Sequence, residues 1–332
     1  MTLITVSGMS APQYSWKGAA TKVSYMSQLV ALFSGMEDCQ VAPASNAAEV
    51  DESSSLIVVG LSSLMSLSSN NLYGALSIIE KYWDDSRLVF FIDAPIPDNI
   101  AASVSSVARD PQRLFKKIFQ NRANWPKTDE EKTKLLRAVE RLREEQWPTT
   151  FYPGLPWEYE EDVRKKIPNA SLVSLNLDRA FSGRFMGAPS VERFDLWVTT
   201  NTKNSWAMRQ MQAMGLGIVG LRPTRFAPDT AVSTRISACT GFILPVEKDG
   251  LTWWNPHIMT SFHNSVPVVS NWKKTQKMGR EWSLLPSAIE DMSVFDRQTV
   301  AIAQKESYLA ALPTAEESVR LVLKAMNGEK YA

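Results

Sequence analysis

The chain has 332 residues, with 36 Lys+Arg against 35 Asp+Glu and a formal net charge of +1, which excludes a uniformly basic nucleic-acid coat protein but not a local basic patch. Hydrophobic residues make up 44% and charged residues 21%, a balance that excludes a disordered chain. At roughly 100–200 residues per domain, the length predicts about two domains.

Strand-like and helical segments alternate from the start, as in a doubly wound α/β sheet. LITVSG (3–8) predicts a buried strand, and a helix follows around 19–34 with Val23, Met26, Leu29, Val30 and Phe33 on one face. Cys39–Ala42 predicts a short strand, and LIVVGLS (56–62) a parallel central one. A helix over Leu72–Trp83 leads to the strand LVFFID (88–93). Helices are predicted over 99–120 and 129–146, and the chain from 148 to 193 reads as looser, punctuated by Pro148, Pro153 and Pro156. A short helix is expected at 157–166 and a last strand at SLVSLNL (171–177). A second α/β series then predicts strands at 196–201, 217–221, 241–245 and 266–270. Helices are predicted at Ser205–Met214, Asp229–Ala238, Asn255–Asn264, 295–311 and 314–326. The division expected is residues 1–178, a linker over 179–193, and residues 194–311, with the final helix (312–332) returning to the first unit.

Two cysteines, Cys39 and Cys239, give no disulfide framework, so a reducing, cytoplasmic setting is the default. Two histidines, His257 and His263, rule out a His-rich metal centre, and their spacing of six does not place them on one helical face. No run approaches the ~20 apolar residues of a membrane span, and MTLITVSG lacks the basic start of a signal peptide, so no membrane partner is expected. Eleven tryptophans suit either an enzyme that stacks flat rings or a large core.

Asp93 is the leading candidate for chemistry. It ends an otherwise apolar strand, at the sheet edge where α/β proteins bind ligands, and a carboxylate there can take a proton from a hydroxyl. It would serve equally as a cap on the loop before Ala94-Pro95. Asp84-Asp85 closes a helix instead and reads as a solvated turn. TTNTKNSW (199–206) lies between a strand and a helix, so Asn201, Asn204, Ser205 and the helix-start amides can bind an anion, with Lys203 as a point charge. Asn204 or Ser205 is also an ordinary helix cap. In the first unit, Gly8 allows close approach of a ligand and Lys17 could reach across a cleft. Trp254 precedes a helix start at Asn255-Pro256, and His257 and Thr260 fall within one helical turn. Arg113, Lys116, Lys117, Arg122 and Lys127, with Trp125 among them, have the make-up of a phosphate-backbone grip, or of a solvated face. A second basic run spans 273–280.

The order and spacing of these segments resemble the bacteriophage DNA β-glucosyltransferases, over about 300 residues. LVFFIDAPIP matches the strand, Asp and proline loop of that family, with Asp93 at its catalytic-base position. NRANWP (121–126) is similar to the family's basic, Trp-containing segment. DLWVTTNTKNSWAMRQM resembles the strand, loop and helix that hold the sugar-nucleotide diphosphate, with Lys203 where the family has an Arg and Arg209 near the second. WWNPHIMTSFHNSVPVV resembles the helix and strand that bind phosphate and ribose, but His257 stands for an Arg and Thr260 for the ribose-gripping Glu.

The resemblance implies a GT-B fold of two Rossmann-like domains facing across a cleft. It implies an inverting glycosyltransferase that moves a sugar, from UDP-glucose or another nucleotide sugar, to the hydroxyl of a base such as 5-hydroxymethylcytosine. The base would be flipped out of double-stranded phage DNA by a monomeric enzyme. Asp93 would be the base. The donor would meet Gly8, Lys17, Asn201, Lys203, Asn204, Ser205, Arg209, Arg225, Trp254, His257 and Thr260, and a divalent cation (Mg or Mn) could assist. DNA would lie on Arg113, Lys116, Lys117, Arg122, Trp125 and Lys127. Two alternatives stay open: a glycan or small-molecule acceptor, and a non-catalytic two-lobe binding protein.

Overall fold

Runs of apolar residues in which every position is buried need cover on both faces, and parallel sheets flanked by helices supply it. The computed structural model describes residues 2–7, 25–64, 69–93, 96, 100, 104, 124, 126–154, 163–177, 194–197, 218–221, 239–244, 258–270, 291–310 and 312–329. The first part runs β1 (Thr2–Ser7), α1 (Tyr25–Ser34), β2 (Cys39–Ala44), β3 (Leu56–Gly60), α2 (Leu61–Leu64), α3 (Ser69–Tyr82), β4 (Leu88–Phe91), α4 (Asp129–Glu144), β5 (Thr149–Pro153) and β6 (Ser171–Leu175). Its strands form one parallel, Rossmann-like sheet in the order β2-β1-β3-β4-β5-β6. Further along come β7 (Phe194–Trp197), β8 (Ile218–Leu221), β9 (Gly241–Leu244), α5 (Ile258–His263), β10 (Val268–Ser270), α6 (Val294–Ala310) and α7 (Ala315–Met326). These strands make a second parallel sheet, β10-β9-β7-β8.

The strand periodicity of two sorts the first core into two layers. Ile57, Val59, Leu88 and Phe90 pack with Leu72, Leu76 and Ile79 of α3 and with Leu135 and Leu142 of α4. Ile4, Val6, Val58, Val89 and Phe91 point the other way, onto Leu29, Phe33 and Met26 of α1 and Val322 of α7. Helix α4 starts at a capping box, in which Thr128 accepts from the Glu131 amide and the Glu131 side chain accepts from the Thr128 amide. Helix α7 has the same box, from Thr314 and Glu317. The buried Ser318 hydroxyl accepts from the Asn176 amide at 2.8 Å, which seats α7 beside the end of β6.

Several predicted boundaries move. The looser reading from 148 is corrected, because Thr149–Pro153 is a buried parallel strand between β4 and β6. The bracketing prolines are tolerated since one precedes the strand and the other is its last residue. LIVVGLS does not run through to Ser62: the strand stops at Gly60 and Leu61–Leu64 turns into a helix. The strand at 88–93 ends at Phe91, and SLVSLNL ends at Leu175, where the Asn176 amide leaves the ladder for Ser318. The helix expected to reach 146 ends at Glu144, with Glu145 already extended. The strand at 266–270 is confined to Val268–Ser270, since Pro267 offers no amide to a ladder. Helix α3 begins earlier than expected, at Ser69, and β2 continues to Ala44. The helices expected at 205–214 and 229–238 lie outside the described residues, as do most of 99–120 and residues 157–162.

One side chain completes a strand edge. Gln304 of α6 is fully buried, accepts from the Val268 amide at 2.8 Å and donates to the Val268 carbonyl at 2.9 Å. Gln304→Leu leaves a buried amide and a buried carbonyl without these bonds. It is expected to cost about 2 kcal/mol in urea unfolding, and a loss below ~0.5 kcal/mol would show the pair to be dispensable.

Candidate active site

In an open α/β sheet, ligands gather beyond the carboxyl ends of the strands, where the strand order reverses. Here the reversal falls between β1 and β3, since the chain steps from β1 to β2 on one side and then returns to β3 on the other. The carboxyl ends at that point are Ser7, which is buried, and Gly60. Asp93 follows β4, the next strand over, and is partly buried.

The carboxylate of Asp93 is engaged on both oxygens by one residue. The Ser62 amide donates to Oδ1 at 2.7 Å, and the Ser62 hydroxyl donates to Oδ2 at 2.5 Å. Gly60 makes the approach feasible. A Cβ there would lie 2.9 Å from Asp93 Oδ2 and 2.5 Å from Met26 Cε, so a side chain would force either the carboxylate or α1 to move. Burial raises the Asp93 carboxyl above the usual aspartate range, and the two Ser62 hydrogen bonds oppose that rise. Each oxygen has a second lone pair, so the group retains capacity to accept a further proton.

Met26, in the first turn of α1, completes this floor, and Tyr25 precedes it. Burial pushes the Tyr25 phenol well above its usual value, with Tyr308 of α6 adding to the shift. Tyr308 donates its hydroxyl to the Gly154 carbonyl at 2.9 Å. Leu312 packs over Gly154, and Asn176 Nδ2 reaches the Pro313 carbonyl at 3.1 Å. The carboxyl ends of β5 and β6 are thus roofed by α6 and the segment after it. The carboxyl ends of β1, β3 and β4 are therefore the candidate edge of the first sheet.

Of the residues singled out from sequence, Asp93 stands at this edge. Lys127 is exposed, and its amide donates to Glu131 Oε2 at 2.5 Å. It is followed at once by the acidic first turn of α4, Asp129, Glu130 and Glu131. Lys127 also borders a cavity of about 410 Å³ between α3 and α4, which Asn46, Ser77 and Asn124 line as well. That cavity does not include Asp93. Asn124 fixes the end of the basic segment, donating to the Ser45 carbonyl at 3.0 Å. Thr260 lies in α5. Gly8, Lys17, Asn201, Lys203, Asn204, Ser205, Arg209, Arg225, Trp254 and His257 lie outside the described residues, as do Arg113, Lys116, Lys117, Arg122 and Trp125.

The Asp84-Asp85 pair is structural rather than a purely solvated turn. Arg87 holds Asp85 below the usual carboxylate range and donates to the Glu52 and Ser54 carbonyls, while Asp84 meets Arg141 at 3.1 Å. Both aspartates precede β4 and so sit at the opposite edge of the sheet from Asp93. Among the described residues, no group of three or more His, Cys, Asp or Glu side chains could hold a metal ion. No helix among them is long and apolar enough to cross a membrane.

Gly60 and Ser62 escape a reading of the sequence alone. The signal is a Gly-x-Ser directly after a β-branched run, and the run's own continuity hides it. No family model and no curated protein matches the chain.

Proposed function

We propose that the chain is an inverting, nucleotide-sugar-dependent glycosyltransferase of GT-B architecture, acting on a hydroxymethylated base in double-stranded DNA. The observation that carries the reading is Asp93, a carboxylate with a raised proton affinity beside the reversal point of a parallel sheet. The resemblance of LVFFIDAPIP and DLWVTTNTKNSW to the phage DNA β-glucosyltransferases supplies the reaction class.

In this reading the acceptor hydroxyl hydrogen-bonds to Asp93. As its oxygen attacks the anomeric carbon from the face opposite the nucleotide, its proton passes to the carboxylate. The bond from the anomeric carbon to the diphosphate breaks, and the electron pair leaves with the nucleoside diphosphate. Lys203 and the amides of the 199–206 loop receive that negative charge. A single base and no covalent intermediate suffice for inversion. The acceptor base leaves the stack to reach Asp93.

Mass spectrometry of 5-hydroxymethylcytosine-containing duplex DNA, incubated with the protein and a panel of sugar nucleotides, tests the reading. A hexose or pentose mass increment on the base supports it, and unmodified DNA across the whole panel overturns it. The acceptor is tested separately by replacing Lys116, Lys117 and Arg122 with Gln. The slope of log affinity for duplex DNA against log salt is expected to fall by about 2–3. Affinity should weaken equally for all sequences, because phosphate contacts carry no base information. An unaltered slope makes the run a solvated face. A wild type that does not bind DNA at low salt favours a non-DNA acceptor.

A further inference from the structure

We infer that the Gly60-Leu61-Ser62 turn is a carboxylate clamp, in which Ser62 is the positioning residue that orients Asp93 and holds it ionised for proton transfer. The clamp rests on geometry; its place in catalysis rests on the reading of Asp93 given above.

Two donors from one residue, at 2.7 Å to Oδ1 and 2.5 Å to Oδ2, fix both the position and the rotation of the carboxylate plane. The chain spends unusual local structure on this. Strand β3 breaks off at Gly60 and the chain turns at once into α2, and the missing Cβ at Gly60 is the space that Asp93 occupies. A hydroxyl at position 62 is not needed to fill a core, since Ser62 is partly exposed.

The surroundings make Ser62 the largest of the influences that favour the ionised carboxylate. Among the described residues, Gly60 at the end of β3 and Ser62 at the start of α2 lie against Asp93, and Met26 of α1 crowds the other side of Gly60. On the other side is β5, whose Phe151 carbonyl accepts from the Ile92 amide. Among the described residues no cation or second carboxylate contributes to the proton affinity of Asp93; burial raises it, and the two Ser62 bonds, followed by a smaller one from the Asp93 backbone amide, lower it. A buried carboxylate without a cationic partner is kept ionised by the hydrogen bonds it accepts. When the acceptor hydroxyl gives its proton to Asp93, the bonds from Ser62 weaken as the negative charge they served disappears. They also hold the neutral acid in place until it releases that proton to solvent.

The test is carboxyl NMR titration of the full chain labelled with carboxyl-¹³C aspartate. The Asp93 signal is assigned by its loss in Asp93→Asn. Ser62→Ala is expected to raise the Asp93 midpoint by about one to two pH units, the equivalent of a hydrogen bond to a charged group. Ser62→Thr should return it close to the wild-type value. Ser62→Cys, nearly isosteric but a weak donor, should fall between them and serves if the alanine variant does not fold. In transfer assays the acid limb of the kcat/KM profile should move up by the same interval, with the KM for the sugar nucleotide unchanged. An unmoved Asp93 midpoint in folded Ser62→Ala or Ser62→Cys overturns the clamp. A moved midpoint with an unmoved acid limb overturns its role in transfer. If no donor yields transfer, the glycosyltransferase reading fails, and the NMR titration alone decides the clamp.

Discussion

Asp93→Asn is expected to fold as the wild type does and to lose sugar transfer by at least ~100-fold, the scale on which a general base contributes. The amide preserves the local hydrogen bonding. Its oxygen accepts from the Ser62 amide as Oδ1 does, and its NH₂ group can donate to the Ser62 oxygen once that hydroxyl rotates. What it removes is the ability to take a proton. Donor affinity, read by calorimetry, should be unchanged, since the nucleotide is assigned to other residues. Wild-type turnover in the variant removes Asp93 from the reaction.

The stability of the same variant has a definite sign with pH. Burial raises the Asp93 carboxyl in the folded state, so the folded chain holds this proton where the unfolded chain has released it. Stability therefore falls as pH rises through the interval between the ordinary aspartate value and the raised one. Above that interval the cost of an ionised, partly buried carboxylate persists. Asp93→Asn escapes the cost. At neutral pH it should be at least as stable as the wild type, with the difference closing on acidification below the ordinary aspartate range. A variant less stable at neutral pH than at pH 4, relative to wild type, would contradict the raised proton affinity.

Asp93 was legible in the sequence because a charge at the end of LVFF stands out against four buried apolar residues. Strands β3 and β4 were legible for a related reason: both faces are covered, so every residue is apolar. β5 was not, because TTFYP is short and edged by prolines, and its buried Thr150 satisfies its hydroxyl locally on the Pro148 carbonyl. The partner of Asp93 could not be read at all. Ser62 lies 31 residues earlier, and only the neighbouring of β3 and β4 brings the two together. Long-range pairing of this kind leaves no periodicity to detect. Gly60 likewise gains its meaning from what crowds it, Met26 on one side and the carboxylate on the other.

The same logic governs Gly74, where, of the glycines described, an added Cβ would come nearest to another atom. Glycine within a helix normally costs about 1 kcal/mol relative to alanine, so Gly74→Ala in the middle of α3 would be a stabilising change on propensity alone. The packing reverses the sign. A Cβ at position 74 would lie 1.8 Å from the Ser45 carbonyl oxygen and 2.8 Å from Asn124 Nδ2. The obstruction is backbone, and it cannot swing aside. Ser45 is tied by its amide and hydroxyl to Glu49, and its carbonyl accepts from Asn124. The turn after β2 is also tied to α3 itself, since the Ala47 amide donates to Ser77 Oγ at 3.0 Å and that hydroxyl donates to the Gly74 carbonyl at 2.7 Å. Relieving the clash means sliding α3 off the turn and giving up these bonds. Overpacking costs roughly 1–3 kcal/mol and sometimes more, and each lost hydrogen bond about 1 kcal/mol, which together outweigh the propensity gain. Gly74→Ala is expected to destabilise the fold by about 3 kcal/mol in urea unfolding. Gly35→Ala is the internal control: its Cβ meets nothing closer than 3.4 Å, and the variant should stay within ~0.5 kcal/mol of wild type. A Gly74→Ala protein as stable as the parent would show that α3 does not press on the Ser45 turn, and the packing of α3 beside β2 would have to be redrawn.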